Sequence, residues 1–177
     1  EACVKLRQDL DSRPWQPGEE RRAEYYYACD PCFAIGDFKG AKKRGAKYRN
    51  FPAYAYATQA AIVEVDRETG EVRLLKVIAA HDVGRAINPH IIEGQMHGSC
   101  SMGQGYALTE GYPTKNGYPV KTLYRQLGLP RAEDTPDYEI ILIEDPEPQG
   151  PFGAKGISEV ATVPVTPAIL NAVSRAI

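Results

Sequence analysis

The sequence predicts an α+β domain in which helices pack against a mixed sheet that contains an antiparallel hairpin. Two observations lead to this prediction. Residues 57–80 alternate apolar and polar side chains on either side of a short turn, as the strands of a half-buried hairpin do. Apolar residues recur at helical spacing at the start of the chain, after Asn88 and near the end. At 177 residues, 43% of them hydrophobic, the chain can form one domain or two small packed lobes.

The charge balance argues against nucleic acid and membranes as partners. The chain carries 21 Lys and Arg residues and 23 Asp and Glu residues, so no strong overall field attracts a polyanion. We interpret the basic run from Lys42 to Arg49 as a solvated loop, because no nucleic-acid-binding motif accompanies it. No apolar run is long enough to span a bilayer, and the first residues lack a signal-peptide pattern, so we expect a cytoplasmic protein.

A short helix is predicted at the start of the chain, followed by an irregular excursion over residues 12–50. The excursion contains several prolines and glycines and shows little periodicity, and such a length without regular structure is uncommon inside a compact domain. We therefore expect it to pack on a partner or on further chain. The sequence begins without methionine and stops inside an apolar helical pattern, which favours a fragment or a split subunit.

The four cysteines do not predict a disulfide framework in a chain of this size and compartment. Cys29 and Cys32, in the motif CDPC, have a spacing compatible with zinc, but the usual second pair is absent. Cys3 and Cys100 lie in distant segments, and no iron–sulfur motif is present. We therefore predict unligated thiols and no protein ligand to a metal.

The hairpin over residues 57–80 is the clearest local prediction. Val63 and Val65 share one face of the first strand, and Leu74 resumes the same alternation after the turn RETG. Gly70 stands where a hairpin loop commonly requires a positive φ.

Residues 82–110 form a glycine-rich helical region that begins near Asn88 and Pro89. Each glycine costs a helix about 1 kcal/mol relative to alanine, so helix stability does not account for them. Either another helix or a ligand must approach this backbone closely. For Gly98, Gly103 and Gly105 we favour the close packing of a second helix.

Residues 138–177 combine a strand, a glycine loop and a helix. Ile140, Leu142 and Ile143 are the predicted core residues of the strand. The loop GPFGAKGISE then leads to a single carboxylate, Glu159, which we place in the first turn of the last helix.

The sequence of this loop does not fit a phosphate site. A P-loop requires Ser or Thr directly after the lysine, but Lys155 is followed by Gly156. The glycine spacing also differs from the dinucleotide fingerprint, and Glu159 would repel a phosphate. The helix dipole favours a carboxylate in the first turn by about 0.3–1 kcal/mol. Spacing alone therefore leaves two interpretations of Glu159 equally open, a helix-start residue and a site residue.

Three ordered motifs resemble the molybdenum-binding part of the xanthine dehydrogenase and aldehyde oxidoreductase family. They are VEVDRETGEV in the hairpin, DVGRAINPHIIEGQ in the glycine-rich region and GPFGAKGISE in the loop, and the similarity covers nearly the whole chain. The resemblance implies that residues 1–177 are the C-terminal portion of a molybdopterin-binding domain whose other half lies upstream.

The resemblance also implies roles for individual residues. Glu159 occupies the position of the family's active-site base, which takes a proton from a molybdenum-bound hydroxyl as its oxygen attacks an electron-poor carbon. Gln95 matches a glutamine near the cofactor, where an amide can both donate and accept hydrogen bonds, although a packing role for this amide remains open. Gly94, Gly156 and Ser158 are further candidates for close contact with the cofactor.

The implied cofactor is a molybdenum–pyranopterin, with or without a nucleotide, while [2Fe–2S] clusters and FAD are expected on other domains or subunits. The expected partners are these redox domains, the remaining part of the molybdenum-binding region and further copies in an oligomer. The expected reaction is oxidative hydroxylation of a purine or another N-heterocycle, with water as the oxygen source. The alternatives are an aldehyde oxidoreductase, a nicotinate-type hydroxylase, a carbon monoxide dehydrogenase-like enzyme and a structural lobe without activity of its own.

Two positions depart from the family pattern. Ser158 replaces the glycine that commonly precedes the glutamate, and Met102 replaces a second glutamine of the glycine-rich helix. Both changes bear on substrate identity and cofactor contacts, and neither removes the proposed base.

Overall fold

The computed structural model of the chain describes residues 1–27, 32–45 and 48–177. The predicted α+β fold class is confirmed, because these residues form helices and a mixed sheet. They divide into two units, Glu1–Pro52 and Ala53–Ile177.

The described part of the first unit contains two helices, α1 (Ala2–Ser12) and α2 (Phe38–Lys43). After α1, the guanidinium of Arg21 pairs with the carboxylates of Asp9, at 3.1 Å, and Glu19, at 2.9 Å. These two ion pairs organise the segment that follows α1.

The basic run of the first unit begins inside α2 instead of in a loop. Asp37 caps this helix by accepting a hydrogen bond from the Gly40 N–H at 2.9 Å. Cys29 and Lys47 lie outside the described residues, so neither the zinc spacing nor the whole basic run is described. Across the described parts of the chain, no helix is both long and apolar enough to cross a membrane.

The second unit is built on a three-stranded sheet with two long helices. Its elements are β1 (Ala57–Val65), β2 (Val72–Asp82), α3 (Pro89–Leu108), β3 (Thr114–Lys115), β4 (Tyr118–Pro119), β5 (Asp137–Ile143) and α4 (Thr162–Ala176). The large sheet has the order β1-β2-β5, and β3 and β4 form a separate small ribbon. β1 and β2 are antiparallel, as the hairpin prediction requires, and Gly70 in their turn has a φ of 77°.

A β-bulge changes the alternation within the hairpin. The register shifts between Ile62 and Val63, which leaves Leu75 as an extra residue in β2. Because of this residue, both Leu74 before the bulge and Val77 after it face the helices. The period-2 pattern of the sequence predicts the hairpin but not this change of phase.

β5 pairs with β2 in parallel, and α3 lies in the long crossover that parallel strands need. Asp82 stands opposite Ile143 at the carboxyl ends of the two strands. Ile140 and Leu142 pack against the core as predicted, but the prediction for Ile143 is wrong, since it is 48% exposed. Successive side chains of a strand point to opposite faces, so Ile143 cannot share the face of Leu142.

α3 and α4 pack against each other and enclose the core with the sheet. The buried core residues are Val77, Ala79, Val83, Ile92, Met96, Cys100, Ala161, Val165 and Ile169. α3 begins where the sequence predicts, because the side chain of Asn88 accepts a hydrogen bond from the Ile91 N–H at 3.2 Å and Pro89 occupies the first helical position.

The glycines of α3 differ in what they face. Gly103 packs against α4, and a Cβ added there would overlap Val165 Cγ1. Gly105 is also tightly surrounded, but the atoms nearest to an added Cβ belong to Glu110 and Pro130, which lie outside α4, and Gly98 has nothing within 4 Å of an added Cβ. Close helix packing is therefore confirmed for Gly103 and wrong for Gly98 and Gly105.

Candidate functional site

The segments that follow β2 and β5 meet at the carboxyl ends of these parallel strands. The Lys155 N–H donates a hydrogen bond of 3.1 Å to the Val83 carbonyl, and the Arg85 N–H donates one of 2.8 Å to the Gly153 carbonyl. The motif DVG and the loop GPFGAKGISE are thus in direct contact, although they are far apart in the sequence.

Gly84 permits this close approach. Its φ is 64°, and an added Cβ would lie 2.5 Å from the Gly153 carbonyl oxygen and 2.7 Å from the Lys155 nitrogen. A side chain at this position would therefore be strained in its backbone and would also push the loop away.

A buried ion pair joins the same two segments. Lys155 Nζ lies 2.5 Å from Asp82 Oδ2, and the two side chains are only 5% and 7% exposed. Burial raises the pKa of Asp82, but the contacts with Lys155 and the Gly84 N–H lower it by more, so its pKa lies below the ordinary value. The Asp82 carboxylate raises the pKa of Lys155. Both groups are therefore charged at neutral pH.

Glu159 does not lie in the first turn of a helix, so that prediction is wrong. It lies in a bend, and its carbonyl accepts a hydrogen bond of 3.0 Å from the N–H of Thr162, where α4 begins. α4 begins at Thr162 with Pro164 in its first turn, where proline is tolerated, and it also contains Pro167 further inside. The helix-start interpretation of Glu159 is thereby removed, and its side chain is exposed.

Ser99 connects the loop to α3. Its hydroxyl donates a hydrogen bond of 3.2 Å to the carbonyl of Ser158, the residue directly before Glu159. Gln95 lies one helical turn before Ser99 on α3, and residues four apart are neighbours on a helix surface. The loop that carries Glu159 therefore approaches α3 next to the turn that carries Gln95.

A second polar contact holds the end of the loop. Gln59 Nε2 donates a hydrogen bond of 2.9 Å to the Ala161 carbonyl and lies 2.9 Å from His81 Nε2. His81 is fully buried, and this burial lowers its pKa. The donor and acceptor roles in this contact depend on the tautomer of His81, and both His81 Nδ1 and Gln59 Oε1 have no partner among the described residues.

Cys100 lies beside this contact, with its Sγ 3.8 Å from Gln59 Nε2. The side chain is fully buried, and burial raises the pKa of the thiol to about 11. Cys100 is therefore an unreactive core residue.

The predicted cofactor residues lie on the exposed face of α3 and on the neighbouring loop. Gly94 has no atom within 4 Å of an added Cβ, so the helix backbone is open there. Gln95 beside it is exposed and offers both a donor and an acceptor. Gly156, Ser158 and Glu159 are exposed on the loop. Open backbone, an amide, a hydroxyl and a carboxylate together fit a large polar cofactor.

Sequence reasoning missed three residues that hold the loop, namely Gln59, Asp82 and Ser99. Gln59 gave a signal, because it occupies an inward position of β1 where the pattern is otherwise apolar, and a buried amide needs partners. Asp82 directly precedes the turn at Gly84, which is a common place for a side chain that accepts a backbone hydrogen bond. Ser99 gave no signal, since serine is common within small-residue helices.

A large cavity in the described part of the chain lies away from these residues. It measures about 960 Å³ and is lined by the hairpin turn, the last turns of α3 and residues 128–137. Neither Gln95 nor Glu159 lines it. Size alone therefore does not identify the functional surface of this unit.

The chain is similar to proteins of one enzyme family. The family described as molybdopterin cofactor-binding domain matches residues 12–136, which include Gly94 and Gln95 and end before Gly156. A probable xanthine dehydrogenase subunit of Bacillus subtilis is 35% identical over 124 residues, which are 70% of this chain and 17% of that protein. The carbon monoxide dehydrogenase large chain of Hydrogenophaga pseudoflava is 35% identical over 126 residues, covering 67% of this chain and 15% of that one.

Solved structures show the same relationship. Quinoline 2-oxidoreductase from Pseudomonas putida 86 matches with a TM-score of 0.66 and 36% identity, over 69% of this chain and 16% of that one. Aldehyde oxidoreductase from Desulfovibrio gigas matches with a TM-score of 0.61 and 29% identity, over 68% and 13%. The chain spans less than a fifth of the length of each of these relatives. It belongs to the molybdopterin cofactor-binding domain family, within the group of xanthine dehydrogenases and aldehyde oxidoreductases.

Proposed function

We propose that this chain supplies the base and part of the cofactor surface of a molybdenum-dependent hydroxylase. One observation carries the proposal. The Ser99 hydroxyl binds the carbonyl of Ser158 at 3.2 Å, which brings the loop of Glu159 to the helix of Gln95. Two residues that the family resemblance assigns to one site, 64 positions apart by their numbers, thus belong to neighbouring segments.

The molybdenum–pterin cofactor, when bound, supplies the two-electron oxidation in which oxygen from water enters the substrate. Gln95 binds it through an amide that can donate and accept at once. Gly94 and Gly156 allow its close approach, because neither has an atom within 4 Å of an added Cβ. Ser158 adds a hydroxyl where the family commonly has glycine.

Glu159 acts as the general base in this proposal. A base must first reach the proton, and an exposed carboxylate in a bend can point towards a ligand in a way that a core residue cannot. Its backbone is held on both sides, at the carbonyls of Ser158 and Ala161. A fixed backbone limits where the carboxylate oxygens can lie when they accept the proton.

The proposed substrate is a purine or another N-heterocycle. Two of the similar proteins are named for xanthine and quinoline, both of which are N-heterocycles. Relatives named for carbon monoxide and aldehyde keep those substrates as alternatives. A panel of purines, nicotinate and aldehydes, assayed with an artificial electron acceptor, decides among them.

The proposed partners are the rest of the molybdenum-binding region and the domains or subunits that carry [2Fe–2S] clusters and FAD, in an oligomeric assembly. The relatives are more than five times as long as the matched segment, which leaves room for such domains. The sheet face opposite the helices exposes Ile62, Ile141 and Ile143 at 49%, 41% and 48%. Exposed apolar side chains on this face, two of them neighbours on β5, favour burial by further protein.

The deciding experiment compares Glu159→Gln with Glu133→Gln in the assembled enzyme. Glu159→Gln keeps the size of the side chain but cannot take a proton, so turnover per molybdenum should fall by about 100-fold or more while cofactor content stays the same. Glu133 lines the distant cavity, so its variant should match the wild type. Near-normal turnover in a molybdenum-replete Glu159→Gln variant contradicts the proposal.

A structural lobe without catalytic residues is the competing function. It predicts that both variants keep normal turnover per molybdenum. Metal analysis adds an independent measurement, because a lobe of a larger site should hold molybdenum only when it is produced together with the rest of the region.

A further inference from the structure

We infer that Asp82 is a positioning residue for Glu159 and that it acts through Lys155. The inference rests on the proposed function, in which Glu159 is the base, and adds the ion pair that holds the loop leading to Glu159. We call the ion pair of these two residues the Asp82–Lys155 clamp.

Both carboxylate oxygens of Asp82 are engaged. Oδ1 accepts a hydrogen bond of 3.0 Å from the Gly84 N–H, and Oδ2 accepts one of 2.5 Å from Lys155 Nζ. The first contact shapes the turn after β2 and the second ties that turn to the loop. One side chain therefore connects the motif DVG to the motif GPFGAKGISE.

Lys155 faces inward and not towards a ligand. Its side chain is 5% exposed, and its Nζ is shared between Asp82 and, at 3.4 Å, Asp145 Oδ2. A lysine that bound a substrate or a cofactor phosphate would need its ammonium group free to reach outward. Since both of its contacts are carboxylates of the same unit, its ammonium group holds the loop in place and does not bind a ligand.

The clamp is the first of three anchors along the loop. Lys155 is held by Asp82, the Ser158 carbonyl by Ser99 and the Ala161 carbonyl by Gln59. Glu159 lies between the second and third anchors, four residues after Lys155. Loss of the first anchor leaves the backbone hydrogen bond from the Lys155 N–H to the Val83 carbonyl without side-chain support and loosens the segment that leads into Glu159, including the exposed Gly156.

A small displacement is enough to matter. A shift of a catalytic group by about 1 Å can cost about 100-fold in rate. The clamp therefore contributes to turnover without any contact with substrate or cofactor.

The test uses the assembled enzyme with four variants: Asp82→Asn, Lys155→Met, the double variant Asp82→Asn/Lys155→Met, and the control Lys76→Met. Asp82→Asn keeps an acceptor for the Gly84 N–H and removes only the charge. The double variant leaves no unpaired buried charge, so it should fold even if a single variant does not. Lys76 pairs with Glu139 at 2.7 Å on the sheet and serves as an ion pair away from the loop.

The first measurement is hydrogen exchange of the backbone amides, which needs no turnover. We expect exchange of the hydrogen-bonded loop amides of Lys155, which binds the Val83 carbonyl, and Thr162, which binds the Glu159 carbonyl, to rise by about tenfold or more in Lys155→Met and in the double variant, while α3 keeps its protection. Lys76→Met should leave the loop unchanged. A wild-type exchange rate of the loop in the double variant overturns the inference.

The second measurement is turnover per bound molybdenum. We expect kcat to fall by about 10- to 100-fold at unchanged KM and molybdenum content, because the base is displaced and not removed. A purely structural role of the pair gives a different result, with exchange raised throughout the unit and normal kcat per molybdenum. That result also overturns the inference.

The two proposals fail separately. If Glu159→Gln keeps its activity, the proposed base is wrong, but the effect of the clamp on loop exchange is still measured. If Glu159→Gln is inactive and the clamp variants behave like Lys76→Met, only the inference about Asp82 is wrong.

Discussion

The hydroxyl of Ser99 on α3 donates a hydrogen bond of 3.2 Å to the carbonyl of Ser158, the residue directly before Glu159. The helix that carries Gln95 thereby fixes the loop that carries the proposed base. The geometry of the site depends on side chain to backbone contacts of this kind, because the loop itself has no regular hydrogen bonding around Glu159.

We expect Ser99→Ala to lower both stability and turnover. Loss of one hydrogen bond costs about 1 kcal/mol of unfolding free energy. The Ser158 carbonyl is then free to turn towards water, and Glu159 moves with it, so kcat should fall while KM changes little. Denaturant unfolding and steady-state kinetics of the assembled enzyme measure the two effects.

Thr166→Val is the matched control for this variant. The Thr166 hydroxyl donates to the Gly103 carbonyl at 2.9 Å, which is a contact between α4 and α3 one helical turn further along both helices and does not involve the loop. It should cost a similar free energy and leave kcat unchanged. Equal losses of kcat in both variants would show that Ser99 acts only through general stability.

Gly94→Ala should make the cofactor-free protein more stable and should lower the molybdenum content of the assembled enzyme. An exposed glycine within a helix costs about 0.5–1 kcal/mol relative to alanine, and nothing in the described structure lies within 4 Å of an added Cβ. The same methyl group occupies the surface that we assign to the cofactor. We therefore expect a higher unfolding midpoint together with a lower molybdenum content per protein.

Gly103→Ala, on the same helix, should instead destabilise the protein. The added Cβ overlaps Val165 Cγ1, and overpacking of a core costs about 1–3 kcal/mol. Thermal unfolding of both variants ranks them on either side of the wild type. An unchanged molybdenum content in Gly94→Ala would remove this glycine from the proposed cofactor surface.

Gly84→Ala should destabilise the protein more than Gly70→Ala does. Both glycines have a positive φ, of 64° and 77°, so each substitution carries a backbone strain of about 1–2 kcal/mol. Only at Gly84 would the new Cβ also press on the loop, at 2.5 Å from the Gly153 carbonyl oxygen. The difference between the two unfolding free energies isolates the close approach of the two motifs. Equal losses would show that the loop moves aside without cost.

The buried His81 should make stability fall as the pH drops below about 6.5, the ordinary pKa of histidine in an unfolded chain. Burial lowers the pKa of His81 in the folded state, so the unfolded state binds the proton first. The contribution of neutral His81 to the unfolding free energy is fully present above this pH. It is lost as the pH falls towards the pKa of His81 in the folded state. Asp82 contributes a separate loss at lower pH, below about 4, because its folded pKa is also depressed.

His81→Gln removes a titrating group from this buried position and should flatten the pH dependence of the unfolding free energy below about pH 6.5. Unfolding curves of the wild type and the variant, recorded over this range, make the comparison. A slope that persists in His81→Gln would assign it to another group.

Local patterns predicted the elements of the second unit well. Alternation gave the hairpin, and Asn88 with Pro89 gave the start of α3, because strand faces and helix caps depend on neighbours in the sequence. The preference of carboxylates for helix starts placed Glu159 inside the helix, which was wrong. α4 begins at Thr162, with Pro164 in its first turn and Pro167 further inside, so the prolines alone do not mark where this helix begins.

The contacts that hold the site were beyond the reach of local patterns. The sequence showed only that Lys155 does not belong to a phosphate-binding motif, whereas the structure pairs it with Asp82. This pairing depends on β5 lying parallel to β2. Whether a glycine of α3 meets a helix or open space also depends on where α4 packs. Gly103 and Gly98 both lie among small residues in the sequence and have opposite surroundings in the fold.

The parallel pairing of β2 and β5 has a consequence for how the protein forms during synthesis. The contacts that hold the loop join residues that are 59, 73 and 102 positions apart. The hairpin and α3 are complete on the growing chain long before residues 155–161 leave the ribosome. Contacts of such long range form slowly, because a long loop must close before they stabilise anything. The surface around Glu159 therefore depends on contacts that can form only after the hairpin and α3 have been synthesised.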